Sequence, residues 1–260
     1  MIKFQLSKYW ELIVGRLESL LNFQTVVTEL TGLALANASL LDESTAAAEA
    51  MAMAYATAKM KRHTFLIDKN VFPQTAAVIR GRAEGLGITV HEIDLTSPSS
   101  VDAHKTDLIG LIIQYPAKTG QINKYTEISQ KVHDLGGQFI CAADLLALTI
   151  LEPPSTFNAD IVVGSAQRFG VPMGFGGPHA AFFACSEANK RKLPGRLVGV
   201  SKDRLDHRAL RLSLQTREQH IRREKATSNI CTSQALLANM SAFYAIYHGP
   251  EVEQRQRFCC

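Results

Sequence analysis

The chain has 260 residues, 46% of them hydrophobic and 20% charged, with a formal net charge of +4, so it can bury a sizeable core in one large domain or one and a half small ones. No apolar run approaches the length of a membrane span. Five scattered cysteines (Cys141, Cys185, Cys231, Cys259 and Cys260) show no CxxC or metal-ligand spacing, which excludes a disulfide framework and points to a reducing compartment.

From about Trp10 to Thr31 apolar residues recur at helical spacing (Ile13, Leu17, Leu20, Leu21, Val27, Leu30), and Gly32 is placed to end the helix. Met1 to Val14 makes a poor organellar presequence, because Glu11 and the scarcity of serine and arginine count against it, and no signal peptide is visible. Ala36 to Leu41 reads as a small-residue turn. Asp42 then caps an alanine-rich helix that should run to about Lys61.

Beyond it, strands and helices alternate. Thr64 to Asp68 is a short apolar strand, Pro73 opens a helix that Gly87 closes, and Ile88 to Ile93 is a second strand. Leu108 to Gln114 is a continuous apolar run, as a central strand covered on both faces requires. An amphipathic stretch from Tyr125 to Leu135 precedes strands at Gln138–Ala142, Ile161–Val163 and Ala180–Ala184. This alternation predicts an α/β domain with a mostly parallel sheet. Past Gly199 a polar, arginine-rich segment leads into a helix from about Ser233 to Tyr247. The basic cluster Arg217 to Lys225 contains Glu218 and Glu224, which favours a helix face with internal pairing, or an anion or interface site, over nucleic acid.

Ligands of an open parallel sheet bind beyond the carboxyl ends of its strands. Four groups of residues fall there. At Asp42, Glu43, Ser44 and Thr45 a helix begins, and its free N–H groups favour a phosphate, although two acids would repel one and a plain capped helix reads equally well. Tyr115, at Gln114-Tyr115-Pro116, is placed either to stack on a flat cofactor or to fill the core where proline breaks the strand. Asp144 ends a buried strand and needs a partner: a pyridine nitrogen, a helix N-terminus or an arginine. Ser165 to His179 reads as a strand end and a glycine-rich loop, in which Gly170, Gly174, Gly176 and Gly177 permit close approach to a ligand or a second subunit. An aspartate followed at this interval by a Lys-x-Phe loop would mark a pyridoxal phosphate enzyme, but the lysine slot holds Gln167, and an amide forms no imine. The histidines and glutamates suggest no metal set. Ser165 and Ser228 lack a hydrolase context, the loop lacks the lysine of a nucleotide site, and Cys231 reads as a packing thiol.

Several long strings carry a more specific likeness. Gly15-Arg16-Leu17-Glu18-Ser19-Leu20-Leu21-Asn22-Phe23-Gln24, Ala38-Ser39-Leu40-Leu41-Asp42-Glu43, Gln167-Arg168-Phe169-Gly170-Val171-Pro172 and Gln215-Thr216-Arg217-Glu218-Gln219-His220-Ile221-Arg222-Arg223, extended by Lys225 to Thr232, resemble the P-protein family of the glycine cleavage system. That family is glycine dehydrogenase (aminomethyl-transferring), or glycine decarboxylase. The likeness is to its N-terminal half and runs from about Gly15 to Pro250.

The resemblance implies an aspartate-aminotransferase-like (fold type I) large domain over residues 15–250, flanked by atypical segments 1–14 and 251–260. These segments differ from the family's flanks, so the chain is expected to be a fragment. By the same resemblance Gln167 takes the place of the Schiff-base lysine, Asp144 that of a pyridinium partner, and this half has no catalytic residue of its own. Asp42, Glu43, Thr45, Tyr115, Asp144, Gln167, Arg168 and His179 are the expected cofactor-binding or site-lining residues. Pyridoxal 5'-phosphate would be bound covalently by the C-terminal half, and the lipoyl group of the H-protein would accept the aminomethyl group of glycine. Implied partners are that C-terminal half and the lipoylated H-protein, in a homodimer or heterotetramer, with neither nucleic acid nor membrane. The implied location is the mitochondrial matrix in a eukaryote and the cytoplasm otherwise. A catalytically silent interaction scaffold of the same fold is the alternative.

Overall fold

The computed structural model describes residues 2–95, 97–214, 219–226, 228–230 and 234–256. Among the described residues nine strands and six α-helices follow in chain order: α1 (Ile2–Thr31), β1 (Leu35–Ala36), α2 (Glu43–Thr57), β2 (Thr64–Asp68), α3 (Pro73–Leu86), β3 (Thr89–Ile93), β4 (Leu108–Tyr115), α4 (Thr126–Asp134), β5 (Gln138–Ala143), β6 (Ile161–Ser165), β7 (Ala181–Cys185), β8 (Leu197–Lys202), β9 (Arg208–Ser213), α5 (Gln219–Arg222) and α6 (Ala235–Gln256). The last is broken at Gly249, whose φ is 64°.

Seven strands form one sheet in the order β1-β7-β6-β5-β4-β2-β3. The run from β6 to β3 is parallel, whereas β7 pairs antiparallel with β6 and β1 antiparallel with β7. Parallel neighbours require a crossover, which α3 supplies between β2 and β3 and α4 between β4 and β5, while 3-10 turns lie between β5 and β6. The antiparallel β6–β7 pair needs none and is joined by the glycine-rich loop. Because β4 is covered on both sides, all of its residues are buried, and its side chains alternate between two cores. Leu111 and Ile113 join Phe23, Val27, Phe139, Phe182 and Ala238 on the face covered by α1, α4 and α6. Ile109 and Ile112 join Ala46, Ala50, Met53, Phe65 and Ile79 on the face covered by α2 and α3.

The alanine run of α2 suits it to lie close on the sheet, since its contact face carries only β-carbons at Ala46, Ala47, Ala50 and Ala54. The helix is shorter than expected. It ends at Thr57, and Lys59 and Met60 follow with positive φ. Helix α3 matches its signals, with Pro73 at its start and Gly87 left-handed at its end. The segment read as a small-residue turn, Ala36 to Leu41, shares only Ala36 with β1, which forms one edge of the sheet.

The polar segment past Gly199 holds the β8–β9 hairpin, a second two-stranded sheet. Its strands carry no clear alternation of their own. Instead the buried Gln24 of α1 clamps it, donating from Nε2 to the Val198 carbonyl at 3.0 Å and accepting the Val198 N–H at Oε1 at 2.8 Å. Arg217, Glu218, Cys231, Cys259 and Cys260 lie outside the described residues.

One glycine of the sheet is required by contact. A β-carbon on Gly164, within β6, would lie 2.0 Å from the carbonyl oxygen of Ala143 on β5 and 2.7 Å from the Phe182 ring on β7. Backbone cannot yield there without opening the ladder. Gly164→Ala is therefore expected to destabilise the chain by about 3 kcal/mol, measured as a lower urea midpoint. An unchanged midpoint would refute this packing.

Candidate functional site

The order β6-β5-β4 sets three parallel strands side by side with their carboxyl ends on one edge, and α2 starts beside them. Polar groups at the ends of such buried strands can face only that edge. At its start, Asp42 accepts the Thr45 N–H at 2.7 Å, the capping bond expected from sequence. Glu43 follows as the first residue of α2. The Thr75 hydroxyl of α3 donates to Glu43 Oε1 at 3.3 Å and lies 3.2 Å from Ser44 Oγ.

Burial pushes the Glu43 carboxyl up to about 7, and the charges of Asp144 and Asp42 act in the same direction. Hydrogen bonds from Thr75 and from the Gln114 amide oppose the rise. Gln114, at the end of β4, is almost fully buried, and its Oε1 has no hydrogen-bond partner among the described residues.

Asp144 follows β5 directly. Its Oδ1 accepts the N–H groups of Leu146 at 3.0 Å and Ala147 at 3.4 Å, and its Oδ2 forms an ion pair with Arg168 Nη1. Of the three partners open to this acid, the structure supplies two, an arginine and the N–H groups of a helical turn.

Gln167 and Arg168 come just after β6. The Gln167 N–H is held by Ser165 Oγ at 3.2 Å, and its carbonyl accepts the Val171 N–H at 3.0 Å. The root of the loop is packed onto α6: Phe169 is fully buried with its ring edge-on to Tyr244. A β-carbon on Gly170 would lie 2.5 Å from the Tyr244 ring, so the chain can pass there only as glycine. The tip is different, with Met173 and Phe175 fully solvent-facing. His179, where the loop returns to β7, has its Nδ1 buried without a hydrogen-bond partner.

The structure thus gathers Asp42, Glu43, Thr45, Asp144 and Arg168 on one edge, with Gln167 beside them at the end of β6. It does not bring Tyr115 into this group. That ring is buried on the α1, α4 and α6 side, edge-on to Tyr125 and Phe157. Thr75 and Gln114 join the group and were not singled out from sequence. Gln114 did carry a signal, as a lone polar residue ending an otherwise apolar strand. Thr75 carried none, because its role depends on α3 packing against α2. Among the described residues no group of three or more His, Cys, Asp or Glu side chains is placed to hold a metal ion, and no helix is long and apolar enough to cross a membrane.

A sequence model of the family described as glycine cleavage system P-protein matches residues 9–255. The chain is 59% identical over 240 residues to a putative mitochondrial glycine dehydrogenase (decarboxylating) of Schizosaccharomyces pombe and 58% identical over 240 residues to the mitochondrial glycine dehydrogenase (decarboxylating) 1 of Arabidopsis thaliana. Each alignment covers 92% of this chain and 23% of the relative, so the chain spans about a quarter of the length of the curated relatives it matches. A crystal structure of glycine decarboxylase (P-protein) of the glycine cleavage system, in inhibitor-bound form, superposes with a TM-score of 0.87 at 37% identity, over 94% of this chain and 56% of that one. A cystathione gamma lyase from Micromonospora echinospora shares the fold alone, with a TM-score of 0.56 at 16% identity over 85% of this chain and 50% of that one. The architecture is the fold type I, aspartate-aminotransferase-like large domain.

Glu43 makes stability depend on pH. Its folded carboxyl titrates near 7 against an ordinary 4.5, so the folded chain binds a proton that the unfolded chain has released. Its contribution is favourable below about pH 4.5 and is lost as pH rises through about 7. Glu43→Gln should remove this slope and raise stability at pH 8 by about 2 kcal/mol, read from urea unfolding at pH 5, 6.5 and 8. Parallel pH profiles for the two proteins would show that the carboxyl is not strained.

Proposed function

The chain belongs to the glycine cleavage system P-protein family, and we propose that it forms part of a glycine decarboxylase, as the half that lacks the bond-forming lysine. The complete enzyme would release carbon dioxide from glycine and pass the aminomethyl group to the lipoyl arm of the H-protein. Pyridoxal phosphate, held by the lysine of the C-terminal half, would supply the electron sink for decarboxylation. The family's relatives are mitochondrial, and the same location is proposed here.

One observation carries this reading: a family match along nearly the whole chain, in which Gln167 is proposed to stand at the lysine position. The residues of this chain do not fit the cofactor, since an amide stands where the covalent bond would form and Asp144 is already paired with Arg168. No chemical step is therefore assigned to this half.

Its proposed contribution is positional. The loop after β6 has a fixed root, held by the Asp144–Arg168 pair and by Phe169 against Tyr244, and an exposed tip. Met173 and Phe175 at that tip, with Leu236, Phe243, Ile246 and Tyr247 along α6, present apolar surface to solvent. Exposed apolar area of this kind marks a binding surface, and the lysine-bearing half is the proposed partner.

The chain alone should neither decarboxylate glycine nor yield a borohydride-trapped lysine peptide. Mixed with a lysine-bearing half, it should restore exchange of the glycine carboxyl carbon with bicarbonate, and Phe175→Ser should cut that exchange at least tenfold. Binding of the two halves without exchange would instead favour the catalytically silent scaffold.

A further inference from the structure

Pyridoxal phosphate is charged at both ends. Its ring nitrogen, when protonated, calls for a carboxylate, and its phosphate calls for free N–H groups at a helix start. In this chain both kinds of group stand on one edge of the sheet, and both are engaged by the chain itself. Arg168 supplies the positive charge against Asp144, whose remaining oxygen accepts Leu146 and Ala147 N–H groups. Asp42 supplies the negative charge at the start of α2 by accepting the Thr45 N–H. Glu43 adds a second carboxyl within electrostatic reach of both Asp42 and Asp144.

We propose that Arg168, Asp42 and Glu43 act together as a built-in substitute for the two charged ends of pyridoxal phosphate, and that this substitution, beyond the missing lysine, closes this half to the cofactor. Arg168 competes with the ring nitrogen for Asp144. Asp42 excludes the phosphate by holding the Thr45 N–H and by repelling its charge, and Glu43, once ionised, adds to the repulsion. Restoring a lysine at position 167 is then insufficient to restore binding. The inference rests on the fold and the family membership, and it stands or falls separately from the activity of the assembled enzyme.

The two kinds of exclusion are separable because pyridoxal has the same ring and aldehyde as pyridoxal phosphate but no phosphate. The full chain carrying Gln167→Lys is treated with equal concentrations of either aldehyde and fixed with borohydride. The label on the peptide spanning position 167 is then counted relative to that on the exposed Lys105 in the same sample. Pyridoxal should label the introduced lysine at least tenfold better than pyridoxal phosphate does. Adding Asp42→Asn and Glu43→Gln, which keep the shape of both side chains, should bring the two aldehydes within about twofold. Adding Arg168→Met instead should raise labelling by both aldehydes to a similar extent, at least threefold. Both comparisons use one protein sample against an internal reference, and circular dichroism verifies that the variants are folded. Equal labelling by the two aldehydes in the Gln167→Lys chain overturns the carboxylate half of the proposal, and no gain from Arg168→Met overturns the other. A failure of carbon exchange in the mixed halves would alter neither result.

Discussion

The structure depends on a sheet whose middle strands are sealed on both faces. Once β4, β5 and β6 are covered by α2 and α3 on one side and by α1, α4 and α6 on the other, their backbone groups are spent on one another and their side chains must be apolar. Polar chemistry is then confined to the ends of the strands. Gly164 shows how little room remains between, with backbone on one side and an aromatic ring on the other. This constraint explains why Asp42, Glu43, Gln114, Asp144 and Arg168, drawn from separate stretches of sequence, meet at one edge.

At that edge the balance of forces differs from residue to residue. The Asp144–Arg168 pair is partly exposed, with side chains 27% and 46% accessible, so solvent screening leaves it a net worth of about 1 kcal/mol. Its value lies in geometry, since it ties the loop after β6 to the turn after β5. Asp144 shares its charge between the arginine and two N–H groups. Glu43 is the reverse case, because desolvation outweighs the hydrogen bonds from Thr75 and Gln114. A chain gains nothing in stability by keeping an acid in such a place, and a glutamine would keep the Thr75 contact at lower cost. That cost is intelligible if the acid, once ionised, serves to exclude an anion.

The parallel strands and their order of appearance were legible because apolar runs bounded by Pro and Gly punctuate the sequence. Thr64–Asp68 and Pro73–Leu86 came through almost residue for residue, and the cap at Asp42 was visible as an acid before an alanine run. The β8–β9 hairpin was not legible, because the bonds that clamp it come from Gln24, far away in sequence. Likewise the choice of partner for Asp144 stayed open, since it depends on β5 and β6 lying side by side and not on any local pattern. Tyr115 shows the same limit from the other side. A tyrosine at the end of a strand is compatible with a ligand or with the core, and only the alternation of β4 against the aromatic group of Tyr125 and Phe157 places it among the buried rings.

The absence of a lysine at position 167 therefore has company. On the proposed reading, had only a lysine been lost, the rest of the edge would still present an unpaired acid after β5 and an uncapped start of α2. It presents neither. The acid has an arginine, the helix start has a carboxylate cap, and a second, strained carboxylate stands between them. Arg168 offsets the charge of Asp144 and Asp42 caps α2, and the loop that Arg168 anchors is packed at its root and apolar at its tip. On the proposed reading, that combination suits a surface that keeps its shape while a neighbouring half binds the cofactor, and Gln167 would be one part of a coordinated replacement of the site.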